Sequence, residues 1–126
     1  MIVIASVFVA LAALLHGYIF LMESVWWTRP ATWKRFGVAD QAAADTTRPM
    51  AYNQGFYNLF LGIGAAIGLV LVWTGADEAG RALVLFSTAC MFLAAAVLTT
   101  TGPGYLRAAL VQGTLPLIGF VLFLFA

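Results

Sequence analysis

Four apolar stretches, each about 20 residues or longer, occupy nearly the whole of this 126-residue chain. At a rise of 1.5 Å per residue, a helix of that length crosses the hydrocarbon core of a bilayer, which is about 30 Å thick. Hydrocarbon offers no partner to backbone N–H and C=O groups, so spanning segments satisfy them within a helix. The sequence therefore predicts a single all-α domain, an integral membrane bundle of four helices over residues 2–27, 50–73, 82–101 and 106–126.

The composition excludes several classes of protein. Hydrophobic residues make up 63% of the chain and charged residues 9%, which is far from a soluble domain. A net charge of +1 provides no basic surface for nucleic acid. The single cysteine, Cys90, excludes an intrachain disulfide and a cysteine-based metal site. One histidine and one glutamate inside the apolar segments do not complete a metal shell, and no motif names a cofactor. The bilayer itself is the one partner that the composition predicts.

The positions of lysine and arginine predict the orientation. The connection between the first two segments, called loop 1, carries Arg29, Lys34, Arg35 and Arg48. The connection between the last two segments, called loop 3, carries Arg107, whereas Arg81 alone lies on the opposite side. Basic residues concentrate in cytoplasmic loops. We therefore expect a multi-pass protein of a plasma membrane, with loops 1 and 3 in the cytoplasm and both termini outside.

Loop 1 is long for a four-helix bundle and carries signals of local structure. Pro30 favours the start of a short helix and Gly37 its end, which predicts an interfacial helix between them. A second short turn is expected over residues 40–45. Thr47 and Pro49 then indicate the start of the second spanning helix.

The first spanning segment contains two ionisable residues, His16 and Glu23. They are seven residues apart, close to two helical turns, so they project from one face about 10 Å apart along the axis. Ala5, Ala12 and Ala13 lie on the same ridge, and small residues allow a neighbouring helix to approach closely. The ridge is therefore expected to face protein, where an intramembrane histidine or glutamate is a functional candidate.

The other polar side chains within the segments lie toward the same membrane face. The second segment opens with Asn53, Gln54, Tyr57 and Asn58, and the fourth contributes Gln112. Counted from the loop-1 side, most lie one or two turns inside, with His16 about three turns in. The pattern predicts a polar pocket in the cytoplasmic half of the bundle. Its candidate ligand-binding residues are His16, Glu23, Asn53, Gln54, Tyr57, Asn58 and Gln112, of which His16 and Glu23 are also the candidate catalytic residues.

These residues also carry a family resemblance that covers essentially the whole chain. The most specific string is Asn53-Gln54-Gly55-Phe56-Tyr57-Asn58, accompanied by His16-Gly17-Tyr18, Glu23, Trp27, Pro30, Phe36-Gly37, Gln112-Gly113 and Pro116. The chain resembles a bacterial family of small four-helix membrane proteins, the domain of unknown function 1304 family. It departs from the family pattern at Gly102-Pro103-Gly104. The resemblance implies the four-helix fold, a bacterial inner membrane and this choice of residues, but no activity.

Binding of a small lipophilic or amphipathic molecule is the first functional hypothesis. Asparagine and glutamine donate and accept hydrogen bonds, so they suit a neutral polar head such as a carbonyl, quinone or hydroxyl. The alternative is a membrane-embedded enzyme that uses His16 and Glu23 as acid and base, although about 10 Å is too far for a direct hydrogen bond between them.

Two further interpretations stay open. The polar residues can serve only as interhelical hydrogen-bonding partners, each bond contributing roughly 0.6 kcal/mol, in a structural or accessory membrane subunit. A small exporter is the last alternative. Gly64, Gly68, Gly113 and Gly119 could also support a homo-oligomer, because small residues allow close helix contacts.

Overall fold

The computed structural model describes all 126 residues, which form helices and no strand. The helices are α1 (Ile2–Phe20), which continues as a π-helix (Leu21–Val25), α2 (Pro30–Trp33), α3 (Gln41–Trp73), α4 (Asp77–Leu98) and α5 (Leu106–Leu124). Single 3-10 turns follow α2 (Lys34–Phe36) and precede α5 (Pro103–Tyr105). Four of these helical segments are long and apolar enough to cross a membrane. The predicted all-α bundle of four spanning helices is confirmed.

The four long helices pack as an antiparallel ring in the order α1, α3, α4, α5, and α5 closes against α1. Val9 of α1 lies against Gly119 of α5, and Gly64 of α3 lies against Ser87 of α4. The core between them is a thin line of seven buried residues: Ala5, Val9, Ala12, Ala65, Val84, Met91 and Phe123. Because the helices alternate in direction, loop 1 (26–40) and loop 3 (99–105) lie at the same end, which we call the loop-1 end. Arg48 and Arg107, which the sequence placed in these loops, lie in the first turns of α3 and α5 at that end.

The second spanning helix begins nine residues before its predicted start at residue 50. Asp40 caps α3, and its side chain accepts a hydrogen bond from the backbone N–H of Ala43 at 2.8 Å. Pro49 therefore lies inside α3 rather than at its beginning. At 33 residues, α3 is about 50 Å long, so its polar first turns extend beyond a bilayer core.

The predicted short helix in loop 1 is confirmed, and Gly37 ends it with a φ of +73°. Loop 1 packs on the first turns of α3 through two indole rings. Trp27 Nε1 donates to the carbonyl of Ala44 at 2.9 Å, and Trp33 Nε1 donates to Gln41 Oε1 at 3.1 Å. The extension of α3 therefore gives loop 1 a surface to fold against.

The third spanning helix also differs from its predicted range of 82–101. It begins at Asp77 and ends at Leu98. The hydroxyls of Thr99, Thr100 and Thr101 each donate to the backbone carbonyl three residues earlier, which competes with the continuing helix.

The glycines expected to support self-association make close contacts within the chain. A Cβ on Gly64 would lie 2.7 Å from Ser87 Oγ, and one on Gly68 would lie 2.8 Å from the backbone nitrogen of Val84. Gly113 is equally close to Ala95. These small residues thus allow neighbouring helices of one bundle to approach closely.

Candidate functional site

The buried face of α1 carries both ionisable residues of the first spanning segment. Residues at helical spacing, namely Ala5, Val9, Ala12, His16, Ile19 and Glu23, all face the interior. His16 has no exposed surface, and Glu23 is 7% exposed. The expectation that this ridge faces protein agrees with their burial, because the alanines on it let α3 and α5 approach closely.

Glu23 lies in the π-helical turn at the end of α1. The backbone N–H of Trp26 donates to the carbonyl of Leu21 at 2.8 Å, five residues earlier, which defines this wider turn. Such turns are rare and frequently occur at functional sites. Here the turn ends α1 with the Glu23 carboxylate on the buried side.

Asn58 of α3 is the partner of Glu23. Its Nδ2 donates to Glu23 Oε2 at 2.9 Å and to the backbone carbonyl of Gln54 at 3.0 Å. An amide nitrogen has two hydrogens, so both donors of Asn58 are used. Asn58 Oδ1 and Glu23 Oε1 form no hydrogen bond in the chain, so Asn58 Oδ1 is a free acceptor.

The approach of α3 to the π-helical turn depends on Gly55. A side chain at that position would collide with Ser24, whose hydroxyl donates to the carbonyl of Tyr52 at 2.8 Å. Phe20 of α1 and Phe56 of α3 pack edge to face beside this contact, with ring centroids 5.0 Å apart. The close approach at Gly55 and the packing of Phe20 on Phe56 therefore both fix α3 against the end of α1, near the Glu23–Asn58 pair.

His16 bonds to its own helix and leaves one ring nitrogen without a partner. Nδ1 lies 2.9 Å from the carbonyl oxygen of Ala12, and because a carbonyl only accepts, Nδ1 carries the hydrogen. Nε2 is buried and has no hydrogen-bond partner. In the neutral ring Nε2 is then an acceptor that a ligand or a water could use.

The remaining predicted site residues do not join this group. Asn53, Gln54 and Tyr57 lie exposed on α3, with Tyr57 66% exposed, and Gln112 is half-buried on α5. Val9 of α1 lies against Gly119 of α5. His16 follows Val9 by seven residues and Gln112 precedes Gly119 by seven, so on antiparallel helices His16 and Gln112 lie at the same level. No hydrogen bond joins these four side chains to His16 or Glu23. The side-chain contact that the structure makes among the seven candidates is Glu23 with Asn58.

A groove between α1 and α3 is the feature that the sequence analysis missed. It has a volume of about 500 Å³ and opens to the outer surface of the bundle. Its floor consists of small residues at helical spacing: Ala10, Ala13 and Gly17 on α1, with Gly62 and Ala66 on α3. This small-residue spacing on two helices was the available signal, but it needed the pairing of α1 with α3 to indicate a groove.

The groove lies directly beside the polar group. Gly62 lines it, and a Cβ on Gly62 would lie 3.6 Å from the Cβ of His16. Asn58 is one turn from Gly62 on the same face of α3. Leu59 and Ile63 complete the α3 wall. The groove is thus next to His16 and Asn58, although neither of these side chains lines it. No three His, Cys, Asp or Glu side chains come together as a metal site would require.

Four apolar antiparallel helices around a buried histidine and glutamate define a multi-pass α-helical membrane protein. The family model described as protein of unknown function (DUF1304) matches residues 10–124, and the chain belongs to that family. No curated protein and no solved structure matches the chain.

Proposed function

We propose that the protein binds a small amphipathic molecule from the bilayer between α1 and α3. The apolar part of the ligand lies in the groove, and its polar end meets Glu23, Asn58 and His16. One observation carries this proposal: a Cβ added at Gly62, which lines the groove, would be in van der Waals contact with the Cβ of His16, and Asn58 lies one turn away on α3. A groove that held lipid chains alone would need no buried polar group beside it, since such groups are costly within a membrane.

The free hydrogen-bonding atoms determine the chemistry of the ligand. Both N–H groups of Asn58 are used, whereas Asn58 Oδ1 and His16 Nε2 are acceptors without partners. A ligand whose polar end donates hydrogen bonds, such as an alcohol, supplies what this site lacks. A quinone or a ketone offers only acceptors and would find no donor at Asn58. Of the heads considered from the sequence, the hydroxyl is the one that this geometry favours.

We also propose that the loop-1 end faces the cytoplasm of a bacterial inner membrane. Five lysine and arginine residues at that end, against Arg81 at the other, support this orientation through the positive-inside bias. The polar end of the ligand then lies toward the inner leaflet. The acid–base alternative has no comparable support, because His16 bonds to Ala12 and makes no hydrogen bond to Glu23.

The test is to identify the molecules that co-purify with the protein in mild detergent by mass spectrometry. Ala66 is exposed and lines the groove, so Ala66→Leu fills the groove without disturbing the core. The matched control is Ala94→Leu on the exposed side of α4, away from the groove. We expect an alcohol-bearing amphipathic molecule with the wild type and with Ala94→Leu, and its loss with Ala66→Leu. Retention of the same molecule by Ala66→Leu at the wild-type level would contradict the proposal.

A further inference from the structure

A second cavity, with a volume of about 200 Å³, lies outside the polar group, between the end of α1 and the short helix α2. Two of its seven lining residues are arginines, Arg29 and Arg35, and Thr32 lies between them on α2. A water molecule occupies about 30 Å³ in the liquid, so the space is large enough for a group of several heavy atoms.

Two aromatic residues, Tyr18 of α1 and Trp26 directly after the π-helical turn, contact the two guanidinium groups. Arg35 Nη1 donates to the hydroxyl of Tyr18 at 2.9 Å. The Arg29 guanidinium carbon lies 5.3 Å from the centroid of the Trp26 ring. Tyr18 and Trp26 themselves pack edge to face, with centroids 6.2 Å apart. The two arginines are exposed, and each contacts one ring of the same aromatic pair.

Neither arginine has a carboxylate partner. The ion pair of the chain joins Arg81 to Asp77 in the first turns of α4, at the end of the bundle opposite loop 1. Glu23, the acidic residue of the π-helical turn, faces the interior and bonds to Asn58. Two guanidinium groups that line one small cavity repel each other, and an anion between them removes that repulsion.

The polar atoms around the cavity fit the oxygens of a phosphate. Guanidinium groups present forked donors that match phosphate oxygens in a bidentate geometry. The Tyr18 hydroxyl accepts a hydrogen bond from Arg35, so its own hydrogen is free to donate. An anion in the cavity can therefore receive hydrogen bonds from Arg29, Arg35 and Tyr18 together.

The place of the cavity in the fold indicates where the phosphate comes from. Tyr18 and Met22 belong to the first membrane-spanning segment, Ile2–Val25, and both arginines follow its end. The cavity thus lies where the apolar segment gives way to polar residues, which is the level of lipid head groups. Arg29 already covers a face of Trp26, which leaves that face unavailable to the ammonium of a zwitterionic lipid.

We propose that Arg29, Arg35 and Tyr18 bind the phosphate group of an anionic phospholipid at this cavity. The assignment goes beyond the proposed function, since it involves a different cavity, different residues and a ligand that accepts hydrogen bonds rather than donating them. The groove site offers acceptors, whereas this cavity offers donors and positive charge. Either site can fail its test without affecting the other.

The experiment is native mass spectrometry of the delipidated full-length protein titrated with phosphatidylglycerol or with phosphatidylcholine of the same acyl chains. The variants are Arg29→Gln with Arg35→Gln, and Tyr18→Phe, which keeps the charge and the ring. Arg48→Gln removes one positive charge from the same end of the molecule, outside the cavity, and is the matched control. Circular dichroism and gel filtration in detergent verify that each variant is folded.

We expect the wild type to prefer phosphatidylglycerol, and the double arginine variant to lose at least about tenfold in affinity. Tyr18→Phe should lose less, and Arg48→Gln should stay within about twofold of the wild type. Equal binding of the two lipids, or an equal loss with Arg48→Gln, would overturn the proposal. Inorganic phosphate that competes at the same concentration as phosphatidylglycerol would overturn the assignment to a lipid.

Discussion

Asn58 Nδ2 donates a hydrogen bond to Glu23 Oε2 at 2.9 Å, and this contact joins α3 to the π-helical end of α1 across 35 positions of sequence. Each residue has other polar residues near it in the sequence, Ser24 beside Glu23 and Gln54 and Tyr57 before Asn58. The pairing is specific because Gly55 lets the two helices approach and because the π-helical turn ends α1 with Glu23 inside.

Asn58→Leu should destabilise the protein, because it keeps a similar volume but leaves the buried Glu23 carboxylate without its donor. The expected cost is about 1–3 kcal/mol in the free energy of unfolding. Asn53→Leu is the matched control, since Asn53 is exposed on the same helix, and it should change stability by less than about 0.5 kcal/mol. Reversible unfolding in mixed micelles measures both. Equal effects of the two substitutions would show that the Glu23–Asn58 bond contributes nothing.

His16→Leu should leave the stability of the ligand-free protein unchanged or raise it. The substitution removes a buried nitrogen that has no partner, Nε2, and replaces the ring with apolar atoms of similar volume. His16→Ala should instead cost about 2–4 kcal/mol, because it leaves a cavity in the fully buried site. Thermal unfolding after delipidation compares the variants. A loss of more than about 1 kcal/mol with His16→Leu would mean that Nε2 has a bound partner even after delipidation.

Gly80→Ala should be strongly destabilising, whereas Gly17→Ala should be tolerated. A Cβ on Gly80 would lie 2.5 Å from the backbone nitrogen of Val72 and 2.7 Å from the carbonyl oxygen of Gly68, and neither atom can rotate away. Overpacking of this kind costs about 1–3 kcal/mol or more. Gly17 has no atom within 4 Å of an added Cβ, so alanine there gains helix propensity, about 1 kcal/mol at most. Unfolding midpoints in detergent measure the difference, and similar midpoints for the two variants would contradict the close contact of α3 with α4.

Asp40→Ala should weaken the first turns of α3 and loosen loop 1. The substitution removes the acceptor for the Ala43 N–H at the helix start, at an expected cost of about 1 kcal/mol. Loop 1 depends on those turns through Trp27 and Trp33, so its amides should exchange hydrogen faster in the variant. Asp40→Asn retains a capping oxygen and should restore slow exchange. If Asp40→Asn exchanges as fast as Asp40→Ala, capping is not what holds the start of α3.

The sequence was a good guide to what depends on neighbouring residues along the chain. Spanning length and hydropathy are local properties, and they predicted the four long helices. Gly37 ended the short helix of loop 1 as expected, because only the local backbone has to adopt a positive φ. The early start of α3 was missed although Asp40 is a good capping residue. Pro49 predicts a later start, but the proline is accommodated inside α3.

The candidate site was predictable only in part. Helical periodicity alone places His16 and Glu23 on one buried face with Ala5 and Ala12, whereas Ala13, predicted on the same ridge, is half-buried and lines the groove. The polar residues of α3 do not share one face, because successive residues of a helix point in directions about 100° apart. Tyr57 and Asn58 are adjacent in sequence, yet Tyr57 is exposed and Asn58 reaches Glu23. Only the position of α1 beside α3 distinguishes them.

By itself, the sequence determined that this chain forms four membrane-spanning helices, that one face of α1 carries its ionisable residues, and that positive charge gathers at the loop-1 end. These properties follow from hydrophobicity, helical periodicity and charge, which act within a segment. The tertiary structure alone decided that Glu23 meets Asn58, that His16 Nε2 stays unpaired, and that small residues of α1 and α3 form a groove. The physical reason is that a contact between helices depends on their register and spacing, which are set by packing of all four helices together.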